Sequence, residues 1–276
     1  MTTHLRRYDD RVVLVVGGGR GIGAAVVETF ARQGATVVVS DAETLGSDVN
    51  QYRSMRVGGY AAARELARNL RDKGLKVTAA DVDAGDEASV RTLLTGIDED
   101  HGRLDVVVNA FGVTHVSKVE DMTLAQFESV VLGNLSGVFL VSKHAIPLLR
   151  RSGGGAMVNF SSISGRMGFA KEAHYCAAKF GVVGFTASLA KELSASGIRV
   201  NAVCPGIVRT NMWDYLLSEF VRPGETPEEC WERMRALIPQ GEFQSPQDIA
   251  DAVLYLASAP RVTGQAISID GGMAQP

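Results

Sequence analysis

The chain has 276 residues, 46% of them hydrophobic and 21% charged, a composition typical of a soluble globular protein and not of a disordered or fibrous one. The net charge of −3 at pH 7 gives no overall attraction for nucleic acid or anionic lipid. The three cysteines, Cys176, Cys204 and Cys230, lack the spacing of a disulfide framework or a metal site. With no signal-like start and no run of about 18 apolar residues, the sequence predicts a cytoplasmic protein without membrane or nucleic-acid partners.

Apolar runs alternate with amphipathic segments along the whole chain. Short β-branched runs without polar alternation predict strands covered on both faces, and the stretches between them are long enough for crossover helices. The pattern predicts an α/β fold with a doubly wound, parallel, seven-stranded sheet of the Rossmann type, in a single domain over residues 1–276. The predicted strands are Val12–Val16, Thr36–Ser40, Lys76–Ala80, Leu104–Asn109, Met157–Ser161, Arg199–Val203 and Ala266–Ile269.

Two stretches interrupt the alternation. Residues 45–60 are rich in glycine and poor in aliphatic residues, which indicates an irregular insertion before a helix at Ala61–Lys73. Residues 211–244 hold both tryptophans of the chain, Trp213 and Trp231, between Pro and Gly breaks. We interpret this second stretch as a mobile substrate lid of short helices, against the alternative of an ordinary pair of packing helices.

A glycine-rich turn, residues 17–23, joins the first strand to a helix at Ala24–Arg32. Glycines allow positive φ and close backbone approach, and the helix start offers amide donors to a pyrophosphate. Such a turn alone could serve only close packing, but here a carboxylate follows at the distance typical of dinucleotide-binding proteins. The turn predicts cofactor contacts from Gly17, Gly19, Arg20, Gly21, Ile22 and Gly23.

The carboxylate is Asp41, 18 residues after Gly23 at the end of the second strand. It can accept hydrogen bonds from the adenosine ribose hydroxyls and would repel the 2′-phosphate of NADP, so it favours NAD. Arg20 is an opposing signal, because a guanidinium in the turn could pair with that phosphate. We weight Asp41 more heavily and predict NAD as the cofactor, although Asp41 could also be a plain helix N-cap.

A second polar set surrounds Tyr175. Lys179 follows it at i+4 on one predicted helix face, and Ser162 lies 13 residues before it at the end of a predicted strand. A lysine ammonium lowers the pKa of a nearby phenol toward the working range, so Tyr175 is the candidate acid/base. Ser162 can hold the substrate oxygen in line for transfer.

These motifs together resemble the short-chain dehydrogenase/reductase family from Arg11 to Gly272. The resemblance implies a catalytic tetrad of Asn134, Ser162, Tyr175 and Lys179, in which Asn134 anchors a water and Lys179 also binds the nicotinamide ribose. It further implies a homotetramer or homodimer formed through the long helices after strands four and five. The remaining cofactor contacts that it implies are Asp81, Val82, Asn109, Ala110, Pro205, Gly206, Ile207 and Thr210.

The sequence departs from the family pattern at two positions. Val16 replaces the Thr that usually precedes the first glycine, which removes a hydroxyl that ties the turn to a neighbouring strand. Phe111 puts a bulky ring where a small residue is usual; it either packs or shapes the pocket. Three histidines are also ambiguous: His174 could contact substrate or simply pack, and His115 and His144 have no partner suggested by spacing.

The sequence therefore predicts a dehydrogenase or ketoreductase that moves a hydride between NAD(H) and a secondary alcohol or ketone. A mainly apolar wall, comprising Phe111, Ser162, Ser164, Met167, Phe169, Tyr175 and the lid around Trp213, favours a medium-sized hydrophobic or cyclic substrate. One alternative is a partial similarity to the mycofactocin-associated branch of the family, in which NAD is held tightly and recycled by another redox carrier. The other is a non-catalytic NAD(H)-sensing protein, against which the complete tetrad argues.

Overall fold

The computed structural model describes residues 8–45 and 59–274. One sheet of seven parallel strands runs in the order β3-β2-β1-β4-β5-β6-β7, which confirms the predicted fold class. Each predicted strand is present; β1 and β7 have the predicted ends, and the ends of the others differ by at most two residues. The strands are β1 (Val12–Val16), β2 (Thr36–Asp41), β3 (Val77–Asp81), β4 (Val106–Asn109), β5 (Gly155–Phe160), β6 (Ile198–Pro205) and β7 (Ala266–Ile269).

Helices connect the strands and cover both faces of the sheet. The observed helices begin slightly before the residues that the apolar periodicity predicts. The first, for example, starts at Gly21, because the last residues of the glycine turn belong to the helix. The α-helices among the described residues are α1 (Gly21–Arg32), α2 (Gly59–Asp72), α3 (Glu87–His101), α4 (Leu124–Val131), α5 (Gly137–Arg151), α6 (Ala173–Leu193), α7 (Asn211–Phe220), α8 (Pro227–Arg235) and α9 (Pro246–Ser258).

The sheet separates two apolar cores. On one face α1, α2 and α9 cover the sheet, with Phe30, Leu70 and Ile249 fully buried. On the other face α3, α5 and α6 cover the sheet with Leu94, Leu149 and Leu193. Because both faces are covered, the strands need side chains that are apolar on both sides, which explains the continuous β-branched runs.

The direction of the strand order reverses between β1 and β4, which are hydrogen-bonded neighbours. In open parallel sheets, the crevice outside the carboxyl ends of two such strands binds ligands. The glycine turn after β1 and residues 110–113 after β4 both open at this crevice. The fold therefore brings the predicted cofactor segments together.

A wide, π-helical turn at Leu132–Ser136 joins α4 to α5 into one continuous helix, Leu124–Arg151. The amide of Gly137 donates to the carbonyl of Leu132, five residues back. By length and composition this helix could cross a membrane, the one such helix in the described part of the chain. Core helices pass the same test, and α5 buries Val141, Ala145 and Leu149 against the sheet.

Helices α7 and α8 form the predicted region of short helices between β6 and α9. They share a small apolar cluster around Ile207, Cys230, Met234 and Ile238, separate from the two main cores. The Arg209 guanidinium stacks on the Trp231 ring at 4.4 Å. The mobility of α7 and α8 as a lid stays a prediction. Most of the predicted insertion at 45–60 lies outside the described residues.

A buried carboxylate fixes the start of β1. Asp105 accepts hydrogen bonds from the Val12 amide at 2.9 Å, from Arg11 at 2.7 Å and from Arg103 at 2.7 Å. Burial alone would raise the pKa of Asp105, but these hydrogen bonds hold it below its ordinary value of 3.8. The hydrogen bonds at the start of β1 thus stabilise Asp105 in its charged form.

We expect Asp105→Ala to lower the free energy of unfolding in urea by about 2 kcal/mol, since the Val12 amide loses its partner while the two exposed arginines are hydrated. Because the folded pKa is depressed, this contribution is complete above the ordinary pKa and declines only as the pH falls through the lower folded value. The loss should therefore be equal at pH 6 and pH 8. The exposed Glu28→Ala, which removes a surface pair with Arg32, should cost less than about 0.5 kcal/mol; an equal loss in both variants would contradict the assignment.

Candidate active site

A cavity of about 710 Å³ opens at the carboxyl ends of the strands. Its floor is the glycine turn and the ends of β4 and β5, and its sides come from α6 and α7. Most of the predicted site residues line it. Gly19, Asp81, Asn109 and Asn134 stand just behind the lining, next to residues that form it.

The glycine turn is built by backbone contact that side chains would prevent. Gly17 has a φ of +77°, and a Cβ there would lie 2.8 Å from the backbone of Ala110. A Cβ on Gly23 would lie 2.0 Å from the Gly17 carbonyl oxygen, and one on Gly21, with a φ of +51°, would lie 3.1 Å from the Thr210 methyl carbon. The glycines therefore let the turn, the end of β4 and the start of α7 approach one another.

The turn is tied to β2 although Val16 has no hydroxyl to make this connection. The amides of Gly17 and Gly18 donate to the Ser40 carbonyl at 2.8 and 3.0 Å. Val16 itself is buried in the second core. Backbone hydrogen bonds thus perform the tethering that the sequence placed in doubt.

Asp41 is turned toward the glycine turn. Its Oδ2 accepts from the Gly19 amide at 2.9 Å and its Oδ1 accepts from the Ala42 amide at 2.8 Å. Burial raises its pKa, while these hydrogen bonds and the Arg20 charge oppose the shift. The Asp41 carboxylate lines the cavity beside Arg20, so the group that favours NAD and the group that could pair with the NADP phosphate face the same space.

The other predicted cofactor residues ring the crevice. Asp81 is exposed and accepts from the Glu43 amide, while the buried Val82 donates its amide to the Asp41 carbonyl. Asn109 is fully buried and donates to the Asn159 side chain at 2.9 Å. Across the cavity, the remaining predicted residues form its wall: Ala110, Pro205, Gly206, Ile207 and Thr210.

Tyr175 and Ser162 meet at the inner wall. Tyr175 lies in the first turn of α6, and Ser162 follows β5 with its Oγ accepting from the Ser164 amide at 3.1 Å. Burial raises the pKa of Tyr175 above its usual range, the charge of Glu172 adds to the shift, and a hydrogen bond with Ser162 opposes it. The phenol therefore stays protonated unless a positive charge is close.

That charge is supplied by Lys179, one turn along α6. Its Nζ lies 5.5 Å from the Tyr175 ring centroid and donates to the Phe160 carbonyl at 3.0 Å. Burial lowers the pKa of Lys179 to about 8, so the ammonium is still the main form at neutral pH. The candidate acid/base, Tyr175, and the lysine expected to lower its pKa are thus adjacent.

Asn134 lies in the wide helical turn and is fully buried. Its Nδ2 donates to the carbonyls of Val113 and Val130, both at 2.7 Å, while its Oδ1 accepts no hydrogen bond from the described residues. A Cβ at Gly112 would lie 2.6 Å from this Oδ1 and 3.2 Å from Lys179 Nζ. A side chain at Gly112 would therefore collide with the Asn134 amide oxygen, so glycine is required beside these two polar groups.

The predicted substrate wall is mostly present, with one correction. Phe111, Ser164, Phe169 and Trp213 line the cavity, but Met167 is not among the lining residues and is 38% exposed. The two readings of Phe111 are both met: its ring packs against Gly137 of α5, and it also borders the cavity.

Sequence reasoning missed several lining residues. Glu172 lies three residues before Tyr175, and this closeness in the chain to the candidate acid/base could have drawn attention to it. Leu132 and Met273 could not be found by local spacing because they come from distant segments, whereas Met212, Leu216 and Leu237 belong to the predicted lid at 211–244.

The histidines take packing or surface roles. His174 is fully buried, neither ring nitrogen has a partner among the described residues, and its ring lies 5.9 Å from that of His115. Burial, together with the His115 charge, lowers the pKa of His174 to about 4, so its ring is neutral. His144 contacts Glu87 at 2.9 Å.

The cavity fits a nicotinamide dinucleotide. The first turn of α1 has no side-chain cap, so its amides face the cavity mouth with the dipole end that binds phosphate. The buried amide oxygens of Asn109 and Asn134, next to the lining, accept no hydrogen bond within the described structure. No group of three His, Cys, Asp or Glu side chains there is arranged to hold a metal ion.

Known proteins resemble the chain over its whole length. The family described as enoyl-(acyl carrier protein) reductase matches residues 16–274. The oxidoreductase YxjF of Bacillus subtilis is 34% identical over 95% of this chain and 97% of its own. The 3-oxoacyl-[acyl-carrier-protein] reductase FabG of Thermotoga maritima is 34% identical over 97% and 99%.

A solved structure agrees with the sequence comparison. That of a variant of actinorhodin polyketide ketoreductase with NADPH matches with a TM-score of 0.87 and 30% identity, over 98% of this chain and 99% of that one. Matching motifs, strand order and relatives of equal length thus point to one conclusion: the chain belongs to the short-chain dehydrogenase/reductase family of oxidoreductases.

Proposed function

We propose that the protein transfers a hydride between NAD(H) and the carbinol or carbonyl carbon of a secondary alcohol or ketone. The observation that carries this proposal is the meeting of Ser162, Tyr175 and Lys179 at the inner wall of a cavity whose opposite side is the glycine turn. A binding-only protein has no need of a buried phenol beside a buried lysine. Two relatives are named as a 3-oxoacyl reductase and a ketoreductase, which supports chemistry at a carbonyl carbon.

Each residue has a separate task. When bound, the nicotinamide takes up or gives the hydride at its C4. Ser162 binds the substrate oxygen, and Tyr175 Oη takes the hydroxyl proton in oxidation or returns it in reduction. Lys179 stabilises the phenolate and binds the nicotinamide ribose, and Asn134 holds a water through which the proton leaves. Because Ser162 holds the carbinol in one orientation, the hydride transfer proceeds like a reaction within a single molecule.

We propose NAD as the preferred cofactor. The Asp41 carboxylate, held in place by the Gly19 amide, faces the cavity where the adenosine ribose would lie. A 2′-phosphate would meet this negative charge at close range, whereas the exposed Arg20 can turn to solvent. The related ketoreductase was solved with NADPH, so the two cofactors must be compared directly.

The substrate is proposed to be medium-sized and largely apolar or cyclic. Phe111, Phe169, Trp213 and Leu216 supply most of the wall near Tyr175. The Tyr215 hydroxyl accepts from the Val116 amide at 3.3 Å, which ties α7 across the mouth of the cavity. We interpret α7 and α8 as the lid that closes over this substrate.

We also propose a cytoplasmic homotetramer or homodimer. Helices α4 to α6 expose large apolar side chains, among them Leu124, Phe127, Phe139 and Phe180. The alternative in which NAD is tightly held and recycled by another carrier depended partly on the long connection after Asp41. Residues 46–58 of that connection are outside the described structure, so retention of NAD through dialysis is the measurement that decides between the two.

We expect Tyr175→Phe to lower kcat/KM by about 10²- to 10⁴-fold, because a positioned acid/base contributes that much. The assay is a panel of secondary alcohols and ketones with NAD and NADP, followed at the nicotinamide absorbance. NADH binding, followed by fluorescence, should persist. The exposed Tyr255→Phe on α9 is the matched control; full activity of Tyr175→Phe on every substrate would end the enzyme proposal.

Asp41→Ser should raise the ratio of kcat/KM with NADP to kcat/KM with NAD by about tenfold or more, because removal of a close negative charge is worth at least about 1.4 kcal/mol. The exposed Asp72→Ser at the end of α2 should leave the ratio unchanged. A wild-type preference for NADP would show that Arg20 outweighs Asp41.

We expect Gly23→Ala to weaken NADH binding by about tenfold or more, since its Cβ would collide with the Gly17 carbonyl and displace the turn. Isothermal titration of NADH measures the effect. Gly96→Ala, in the middle of α3 with no atom within 4 Å of the new Cβ, is the matched control. Equal NADH affinity in Gly23→Ala and the wild type would remove the turn from the cofactor site.

A further inference from the structure

One polar side chain in the cavity has no task in the mechanism above. Glu172 lines the cavity and is only 7% exposed. No hydrogen bond or ion pair to its carboxyl group is formed by residues 8–45 or 59–274. Burial therefore dominates its titration and raises its pKa to about 7.

The backbone around Glu172 holds this side chain in place. Lys171 has a φ of +66°, a left-handed conformation that few non-glycine residues adopt, and its carbonyl accepts from the Ser117 amide at 2.9 Å. The Glu172 amide donates to the Phe169 carbonyl, and its own carbonyl accepts from Cys176 at 2.8 Å. All main-chain groups of Glu172 are thus engaged, and the carboxyl group alone is left to bind something else.

Glu172 is also close to the reacting group. It is the N-cap residue of α6, three residues before Tyr175, and both side chains line the same cavity. The charge of Glu172 also raises the pKa of the Tyr175 phenol, as expected of two groups that lie close together. A buried carboxyl group without a partner costs free energy, which a ligand that hydrogen-bonds to it would recover.

We propose that Glu172 binds a second hydroxyl group of the substrate, on a carbon close to the one that reacts, so that the preferred substrates are diols and hydroxyketones. This inference rests on the proposed function, because it places the reacting carbon at Ser162 and Tyr175. Glu172 is then a specificity-determining residue: it orients the substrate relative to the tetrad and takes no part in the proton transfer.

A hydroxyl group suits this position better than an ammonium group. A hydroxyl can donate to the carboxylate and accept from the carboxylic acid, so it is bound in both protonation states of a group that titrates near neutral pH. An ammonium group needs the charged form and further acceptors, but the neighbouring wall is formed by Phe169, Trp213 and Leu216. The other acids of the lining lie elsewhere, since Asp41 ends β2 and Asp83 and Asp86 follow β3.

The test uses three probes on one carbon skeleton: cyclohexanol, trans-cyclohexane-1,2-diol and trans-2-aminocyclohexanol. Their Kd values for the enzyme–NADH complex are measured by nicotinamide fluorescence, and kcat/KM is measured for every probe that turns over. The proteins are the wild type, Glu172→Leu, Glu172→Gln and the control Glu192→Gln, which changes an exposed glutamate of the same helix. Glu172→Gln keeps the side-chain shape if Glu172→Leu does not fold.

The wild type should bind the diol more tightly than cyclohexanol, and Glu172→Leu should reduce this preference by about 10- to 100-fold, the value of a hydrogen bond to a charged group. Glu172→Gln should reduce it less, and Glu192→Gln should leave it unchanged. Equal preference in wild type and Glu172→Leu, binding of none of the probes, or tighter binding of the amine than of the diol would each overturn the proposal. Loss of diol preference in Glu172→Leu with full activity of Tyr175→Phe would instead refute the proposed function alone.

Discussion

Backbone contact between two strand ends is the constraint on which the site depends. Gly17, after β1, touches the backbone of Ala110, after β4, so closely that a single methyl group would separate them. The sheet order reverses between these strands, and their connections leave in opposite directions. Because the two turns touch at their base and diverge above it, a crevice opens that extends along the whole carboxyl edge of the sheet.

The electrostatics of the inner wall follow from burial. Removing Tyr175 from water disfavours its phenolate, and removing Lys179 from water disfavours its ammonium, so each charge is unstable alone. Together they are mutually stabilising, since the phenolate forms next to a cationic side chain of the same wall. The Phe160 carbonyl, which accepts from Lys179, fixes the direction of the ammonium without neutralising it. In the proposed mechanism, the wall therefore stabilises a charge that exists only during the reaction.

Much of this could be predicted from sequence because the signals are local. The central strand β1 is covered on both faces, so its apolar run is unbroken, and the glycine turn and the Tyr175–Lys179 spacing each lie within a few residues. Long-range features could not be predicted in the same way. The position of Met167 after Ser162 predicts that it is part of the wall, but the residue is 38% exposed and is not among the lining residues. His174 is buried by the loop that carries His115, a segment that sequence spacing does not place beside it. The hydrogen bonds that replace the hydroxyl absent at Val16 are made by main-chain atoms, which no side-chain motif reports.

The wide turn at Leu132–Ser136 has a consequence for the surface of the long helix. Each residue of a regular helix turns the side-chain direction by about 100°, and a wide turn holds one residue more than a regular one. The phase of α4 is therefore offset from that of α5, and no single helical wheel describes Phe127 and Phe139 together. Each half can orient its apolar stripe independently, one toward α6 and the other toward the sheet and α3. Loss of one residue here would keep a helix of nearly the same length while rotating half of its surface, which makes this segment far less tolerant of length changes than the loops at either end.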